Sequence, residues 1–377
     1  MSAGAGRTVC AQGMCAACMA CLDSCGHGAI TIHDSLDSCN AVIDAERCVS
    51  CGACERVCPQ VSPVSLREPI EWRQGWAANP DERAASSSGG LATAISRAFI
   101  ARGGLVCSCT QEGGDFGFRL TDDPADLERM RGSKYVKSNP AGAHRKVRDA
   151  LRSGRDVLFV GLPCQVAAAR GFAGRLGERL YTVDLICHGT PSADLLRRYL
   201  RERGDDLRDE LILDFRKKVQ FQLRWRGAGT GLAGRGMDCY TVAFLEGMSY
   251  TENCYSCPYA RLERASDVTL GDSWGTELAG EKAAGVSLAL ANTEKGRELL
   301  ERADLVLLPV DRARALETNG QLSRPTQRPG DREAFFGALA AGKTLNAAVF
   351  EWRPWLCVKR TVKGAVKGFL IDHGLLR

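Results

Sequence analysis

Two matching cysteine runs constrain this chain more than anything else in it: C-A-A-C-M-A-C-L-D-S-C from Cys15 and C-V-S-C-G-A-C-E-R-V-C from Cys48. Each has the form C-x2-C-x2-C-x3-C. Three thiolates at intervals of three wrap a short loop around one face of an iron–sulfur cubane, and the fourth, beyond a turn, points away to a neighbouring cluster. The spacing therefore predicts two [4Fe–4S] clusters with crossed ligands. Cys15, Cys18, Cys21 and Cys58 hold one, while Cys48, Cys51, Cys54 and Cys25 hold the other. Pro59 follows the second run as the pattern expects, and Gly26 stands where the first run would have its proline. Zinc sites and a disulfide framework are the competing readings, and duplicated runs of this spacing are hard to reconcile with either.

The unit so defined is a two-cluster ferredoxin domain over residues 15–62, preceded by a lead-in at 1–14 that reads as flexible. Cys10 lies outside the ligand spacing and reads as a bystander; Cys39 reads as a small buried hydrophobe. A-I-T-I-H after Gly28 and A-V-I-D after Cys39 suit a pair of short strands. At 377 residues the chain has room for this unit and one or two conventional domains. It has no apolar run long enough for a membrane span. M-S-A-G-A-G-R-T lacks the apolar core of a secretory signal. Eighteen cysteines without an export signal point to metal ligation in a reducing compartment, so a cytoplasmic location is expected. The formal charge of +5 counts every cysteine as neutral. A [4Fe–4S]²⁺ core with four thiolates carries about −2, so clusters bring the protein near neutrality, and nucleic acid is not an expected partner.

Residues 63–84, irregular apart from Trp72 and Trp76, read as a linker whose tryptophans dock the cluster domain. S-S-S-G-G at 86–90 precedes Leu91, Ile95, Ala98 and Phe99 at helical spacing. Hydroxyls and free N–H groups at a helix start make an anion site, with a plain N-cap as the alternative. L-V-C-S-C-T, carrying Cys107 and Cys109, and G-F-R-L-T read as a hairpin; R-G-S-K-Y-V-K-S-N at 131–139 is a basic, hydroxyl-rich loop. A helix over 142–153 leads into two strand–turn units, D-V-L-F-V-G-L-P-C-Q and L-Y-T-V-D-L-I-C-H-G-T-P-S. These imply parallel strands with Cys164, Cys187 and His188 at their carboxyl edge. A cysteine nucleophile assisted by His188 is a further reading, but no sequence feature orients the pair. A charged helix over 195–210 follows. L-I-L-D-F-R-K-K-V-Q-F and Y-T-V-A-F-L then read as strands around a Gly-rich turn at 227–236, made positive by Arg216, Lys217, Lys218, Arg224 and Arg226.

C-Y-S-C-P at 254–258 has no nearby ligands to complete it, so Cys164 and Cys187 would have to supply them. A third [4Fe–4S] and a zinc ion fit that spacing equally, and the redox character of the N-terminus favours iron–sulfur. Strand, capped helix and strand follow over 286–309, then an extended basic loop at 313–330. Trp355, Val358, Val362, Val366 and Leu370, beside Lys359, Lys363 and Lys367, predict a basic amphipathic C-terminal helix. It would pack on the body or on a partner, with peripheral contact to a membrane surface as the alternative.

Six ordered motifs carry a family resemblance: S-S-G-G-L-A-T (87–93), G-S-K-Y-V-K-S (132–138), G-L-P-C-Q (161–165), C-H-G-T-P-S (187–192), C-Y-S-C-P-Y-A (254–260) and D-V-T-L-G-D-S-W-G (267–275). With the cysteine runs, the chain from residue 15 to about 345 resembles the coenzyme F420 hydrogenase/dehydrogenase beta-subunit family. The resemblance implies an α+β / α/β fold. A duplicated ferredoxin-like domain with two [4Fe–4S] clusters would precede a non-Rossmann mixed-sheet FAD-binding domain over 85–345, helices on its faces, with the C-terminal helix over 346–377. It implies FAD contacts at Ser87, Ser88, Gly89 and Gly90, with Lys134, Tyr135 and Ser138 near the phosphates or ring. Cys164, Cys187, Cys254 and Cys257 would hold the inner cluster, and Asp272 and Trp274 would shape the region between cluster and flavin. The implied activity is hydride exchange at FAD, with F420 as a candidate cosubstrate, and single-electron transfer through the clusters. The alternative is a non-catalytic electron-transfer subunit serving a separate enzyme; bacterial members are often linked to cell-surface polysaccharide genes. Arg216, Lys217 and Lys218 are candidate contacts to the acidic tail of F420 or to another anion. His188 is the leading acid–base candidate, with a hydrogen bond to a cluster sulfur as its other role. The expected partner is a redox protein or a hydride carrier, and self-association as a homo-oligomer is left open.

Overall fold

The computed structural model describes all residues except 1–6, 113, 208–211, 227–237, 360–361, 363–365 and 367–377. The first unit is built from its cysteine loops. Helices α1 (Ala20–Ser24) and α2 (Ala53–Val57) are both entered through a left-handed residue, Met19 and Gly52, so the loops ahead of them turn sharply. Between them lies an antiparallel hairpin, β1 (Ile30–Asp34) and β2 (Cys39–Ile43). Ile30, Cys39, Ala41 and Ile43 pack beneath the cysteines. The lead-in is not free from residue 7 onward, contrary to expectation. Thr8 bridges Val42, and the Val9 N–H donates to the Ala41 carbonyl at 2.9 Å.

The expected linker is instead a strand. β3 (Glu71–Ala77) runs inside the main sheet, and its Trp72 packs on Leu288 and Leu290, not on the cluster unit. Buried Gln74 hides the alternation from a hydropathy reading. Its amide group donates to the Glu277 carboxylate (2.6 Å) and the Pro309 carbonyl (2.9 Å), and its oxygen accepts from Ser273 and Thr276. α3 (Pro80–Ala85), capped by Asn79, completes the stretch.

Helix α4 (Leu91–Ala101), strands β4 (Leu105–Cys109) and β5 (Phe118–Thr121), the short α5 (Leu127–Met130), α6 (Ala143–Arg152), β6 (Val157–Val160), α7 (Pro163–Ala173) and β7 (Leu180–Leu185) follow in the expected order. α6 and α7 cross over between the parallel strands β4, β6 and β7. α8 (Ala193–Glu202) is shorter than the 195–210 expectation, because Gly204 in a left-handed conformation closes it. β8 (Ile212–Lys217) and β9 (Gln220–Arg226) form a separate hairpin, and the Gly-rich stretch at 227–236 lies outside the described residues. Y-T-V-A-F-L, expected as a strand, belongs to α9 (Cys239–Leu245). Nearly every residue of that helix is buried, so it has no polar face to reveal a helical period. The signal that survives is Asp238, whose carboxylate accepts the Thr241 N–H at 3.0 Å as an N-cap.

β10 (Val268–Asp272), β11 (Ser287–Ala291), α10 (Glu294–Glu301) and β12 (Leu305–Leu308) finish the eight-stranded sheet, whose order is β12-β3-β11-β10-β7-β6-β4-β5. The inner strands β10, β7, β6 and β4 are mutually parallel, with antiparallel partners on both sides. Successive residues of β6 point to opposite faces: Leu158 enters the core beneath α4 and α10, and Phe159 the core beneath α6 and α7. Burying such a side chain contributes about 1.5–3 kcal/mol. The extended loop expected over 313–330 begins as a helix, α11 (Arg312–Thr318), capped by Asp311. α12 (Arg332–Ala340) and α13 (Leu345–Trp352) join α8, α9 and the β8–β9 hairpin in a further core around Phe215, Tyr240 and Phe335. α13 is thus part of the body, not the start of a separate C-terminal helix. The amphipathic stretch beyond it falls largely outside the described residues, although Trp355 is exposed. Among the described residues no helix is long and apolar enough to cross a membrane.

Candidate cofactor cavity and thiol groups

The two cysteine loops share an unusual backbone. Ala17 and Ser50, each two residues past the first cysteine of its run, have φ of 52° and 56°. Such a conformation costs a non-glycine residue roughly 1–2 kcal/mol. It turns the Ala17 and Ser50 N–H groups toward the sulfurs of Cys15 and Cys48, both at 3.4 Å. Cys15, Cys18, Cys21 and Cys58 line one small cavity, so the structure brings the crossed ligand set together. Cys10 stands in the same wall and is no bystander. Its thiol bonds to Cys15 and Cys58 and eases their ionisation, to about 7 for Cys15 and about 6 for Cys58. Burial pushes the Cys21 thiol up to about 12. In the second set, Cys25, Cys48 and Cys54 are half-buried against the same core, and Cys51 is exposed.

A third thiol group forms from three separate segments. Cys164 begins α7, Cys187 follows the end of β7, Cys254 lies within a short 3-10 turn and Cys257 directly follows it. Burial raises the thiol pKa of Cys187 first, and then Cys254, Cys164 and Cys257 raise it further; Cys164 is pushed up to about 12 by burial and by its neighbours Cys257 and Cys254. Among the described residues, no three His, Cys, Asp or Glu side chains converge as the ligands of one metal ion do. Gly189 is obligatory in C-H-G: its φ is 139°, and a Cβ there would fall inside the Tyr250 ring. The buried Arg264 secures the group from behind, donating to the carbonyls of Leu185 and Tyr259 at 2.8 Å each and pairing with buried Asp184 at 3.2 Å.

A cavity of about 520 Å³ opens at the carboxyl edge of the parallel strands, where open α/β sheets bind ligands. Its two ends differ. At one, Ser87, Ser88 and Gly90 present hydroxyls and the free N–H groups of α4. Gly89 is not on the wall; it packs against the Gly75 carbonyl and Ser287 too closely for any side chain. Lys134 lines this end, its ammonium tied to the Met130 carbonyl at 2.9 Å and its pKa lowered by burial. Ser138 accepts from the Gln165 amide at 2.9 Å. At the other end Tyr135 stacks on Phe244, ring centroids 4.3 Å apart, and on Phe221 at 6.1 Å, with Trp274 beyond. Burial raises the Tyr135 phenol pKa.

The three basic candidates for anion contact do not act together. Arg216 is buried and held by both carboxylate oxygens of Asp272, at 2.6 and 2.7 Å, with its guanidinium over Phe221. Lys217 is exposed and off the cavity wall. Lys218 turns back to the carbonyls of Arg83 and, at 2.8 Å, Ser88. Asp272 and Trp274 do line the cavity, near His188 and Cys187. The His188 ring is open to the cavity yet surrounded mostly by protein, and burial lowers its pKa, so the neutral imidazole dominates near neutrality. Sequence reasoning missed Phe221, Phe244, Tyr250 and Cys109 on this wall. Phe244 is hidden in α9, whose composition reads as a strand; the others lie on segments with no local pattern that distinguishes a lining residue from a core one.

The sequence of residues 14–61 matches the 4Fe-4S dicluster domain, so the chain is an iron–sulfur protein. Residues 154–306 match the model that describes the C terminus of the coenzyme F420 hydrogenase/dehydrogenase beta subunit. In Methanosarcina mazei, the F subunit of the F(420)H(2) dehydrogenase is 30% identical over 186 residues, which is 46% of this chain and 53% of that protein. Over residues 154–306 the chain is similar to the coenzyme F420 hydrogenase/dehydrogenase beta-subunit family. It spans about half the length of the curated relative it matches. The F420-reducing [NiFe] hydrogenase complex from Methanosarcina barkeri contains a chain similar to it with a TM-score of 0.46 and 14% identity, covering 74% of this chain and 94% of that one.

Proposed function

We propose that the protein is an iron–sulfur flavoprotein oxidoreductase that exchanges hydride at FAD and passes single electrons through three [4Fe–4S] clusters. The observation that carries this reading is the place of Cys187, which belongs both to the inner thiol group and to the cavity wall. A cofactor ring against Tyr135, Phe221 and Trp274 would then lie beside a cluster on Cys164, Cys187, Cys254 and Cys257. The cavity suits FAD by its donor set: hydroxyls and helix N–H groups at one end for phosphates, aromatic faces at the other for the ring. When bound, the flavin would supply the two-electron to one-electron conversion. Ser87, Ser88 and Gly90 would anchor it, and neutral His188 would hold or accept a proton at the cavity. A reduced deazaflavin is the proposed hydride carrier, in keeping with the name of the Methanosarcina mazei relative.

Anaerobic purification followed by iron, sulfide and flavin analysis tests the reading, with turnover of reduced F420 as the second step. Iron and sulfide for three cubanes and one flavin per chain are expected. Cys58→Ala should remove the cluster of the Cys15 loop and spare that of the Cys48 loop. Bound zinc, or material unable to retain any isoalloxazine, would overturn it. Intact clusters without flavin, reduced only through another protein, would instead identify an electron-transfer subunit.

A further inference from the structure

Lys137 lies inside the protein, between two thiol groups. Its loop is pinned on both sides: the Lys137 N–H donates to the Pro191 carbonyl at 2.8 Å, and the neighbouring Ser138 accepts from Gln165, next to Cys164. The side chain is 8% exposed, so its charge is out of water. Its ammonium reaches the side-chain oxygen of Asn253 at 3.5 Å, and Thr251 donates to that same oxygen at 2.8 Å while standing 3.7 Å from the Cys254 sulfur. Among the described residues no carboxylate pairs with it. The sulfurs within electrostatic reach of it are those of Cys254, Cys39, Cys164 and Cys15, which would favour its charge when held as thiolates. Cys254 and Cys164 belong to the inner group, Cys15 to the first loop of the ferredoxin unit, and Cys39 lies on β2 in the core beneath that loop.

We propose that Lys137 is a positioning charge for electron transfer, a fixed cation shared by the first cluster of the ferredoxin unit and the inner cluster. The proposal rests on the reading that both thiol groups hold clusters. Reduction of either centre adds one electron and makes or breaks no bond. A [4Fe–4S]²⁺ centre with four thiolates passes from about −2 to about −3, and an ammonium between the two centres favours the reduced form of each. Lys137 would thereby hold the two centres at neighbouring potentials.

The test uses the full chain, purified anaerobically, as wild type, Lys137→Met and Lys137→Arg. Iron and sulfide content is measured first, then the midpoint potential of each cluster by EPR-monitored redox titration. In Lys137→Met two of the centres should move to lower potential, while the Cys48-loop centre stays in place; Lys137→Arg should titrate like wild type. Unchanged potentials in Lys137→Met, or equal shifts in Met and Arg, would overturn the proposal. Loss of a cluster in Met but not in Arg supports a role for the charge, and loss in both shows a role in packing and overturns it. Wild-type protein without iron would overturn the underlying cluster reading, which the first measurement reports separately.

Discussion

Arg216, Lys217 and Lys218 are neighbours in sequence and meet three different environments: an ion pair, solvent and a pair of backbone carbonyls. Counting charges along the hairpin cannot separate them, because strand alternation and the left-handed turn at Lys218 decide where each points. Lys218 carries a consequence that can be measured. Burial first, and then repulsion from Arg83, Arg216 and Lys217, lowers its ammonium pKa to about 8 from 10.5. Between those values the unfolded chain binds the proton and the folded chain does not. The contribution of this group to stability therefore rises with pH across that window and is smallest below it. Lys218→Met should flatten the rise, seen as urea midpoints of variant and wild type that converge toward alkaline pH. A wild-type slope that persists in the variant would show that another group is responsible. Cys10 makes a related point at the same scale. Its role was illegible because it lies outside the ligand spacing, and only the pairing of residues 7–9 with β2 brings it to the cavity wall.

Elements whose hydropathy pattern is bounded by turn residues were legible in the sequence: β4, β6, β7, α4 and α6 all form where those signals place them, β6 as a fully apolar run. Two elements were not, for opposite reasons. β3 buries a glutamine and so looks too polar for an interior strand, and α9 buries almost all its residues and so looks like one. Both sit where neighbouring layers, not local propensity, fix the conformation. The ion pair of Arg264 and Asp184 is likewise set by its surroundings, joining the end of β7 to the segment after Cys257. Removing the arginine leaves a buried carboxylate uncompensated. Arg264→Met should therefore cost about 3–5 kcal/mol. Chemical denaturation checks this, and adding Asp184→Asn to the same protein should restore part of the loss. A single variant as stable as wild type would show that the pair is not coupled to folding.

Across the whole molecule, the ferredoxin unit is held to the body by contacts between residues far apart in the chain. The Asp23 carboxylate accepts the N–H groups of Gly142 (2.8 Å) and His144 (3.1 Å) at the start of α6, and Arg145 donates to the Asp23 carbonyl at 2.8 Å. Ser192 donates to Asp34 at 2.6 Å, and Arg332 to the Asp37 carbonyl at 2.7 Å. No motif announces such partners, so the sequence revealed the thiol sets but not how they face one another. Asp23 acts as an N-cap supplied by another unit. Asp23→Ala should cost about 0.5–2 kcal/mol of stability. It should also slow electron passage from the ferredoxin unit to the inner centre while iron content is unchanged, which stopped-flow reduction would record. A variant that transfers at the wild-type rate would show that this cap does not hold the units in register. The position of β3 has a different consequence. Because Glu71–Ala77 slots between two late strands, the stretch just downstream of the cysteine unit is a keystone of the body's own architecture. A chimera that grafts in a foreign electron carrier must be spliced upstream of Glu71, for a junction placed later would excise a rib from the recipient and leave two raw sheet edges where one seam had been.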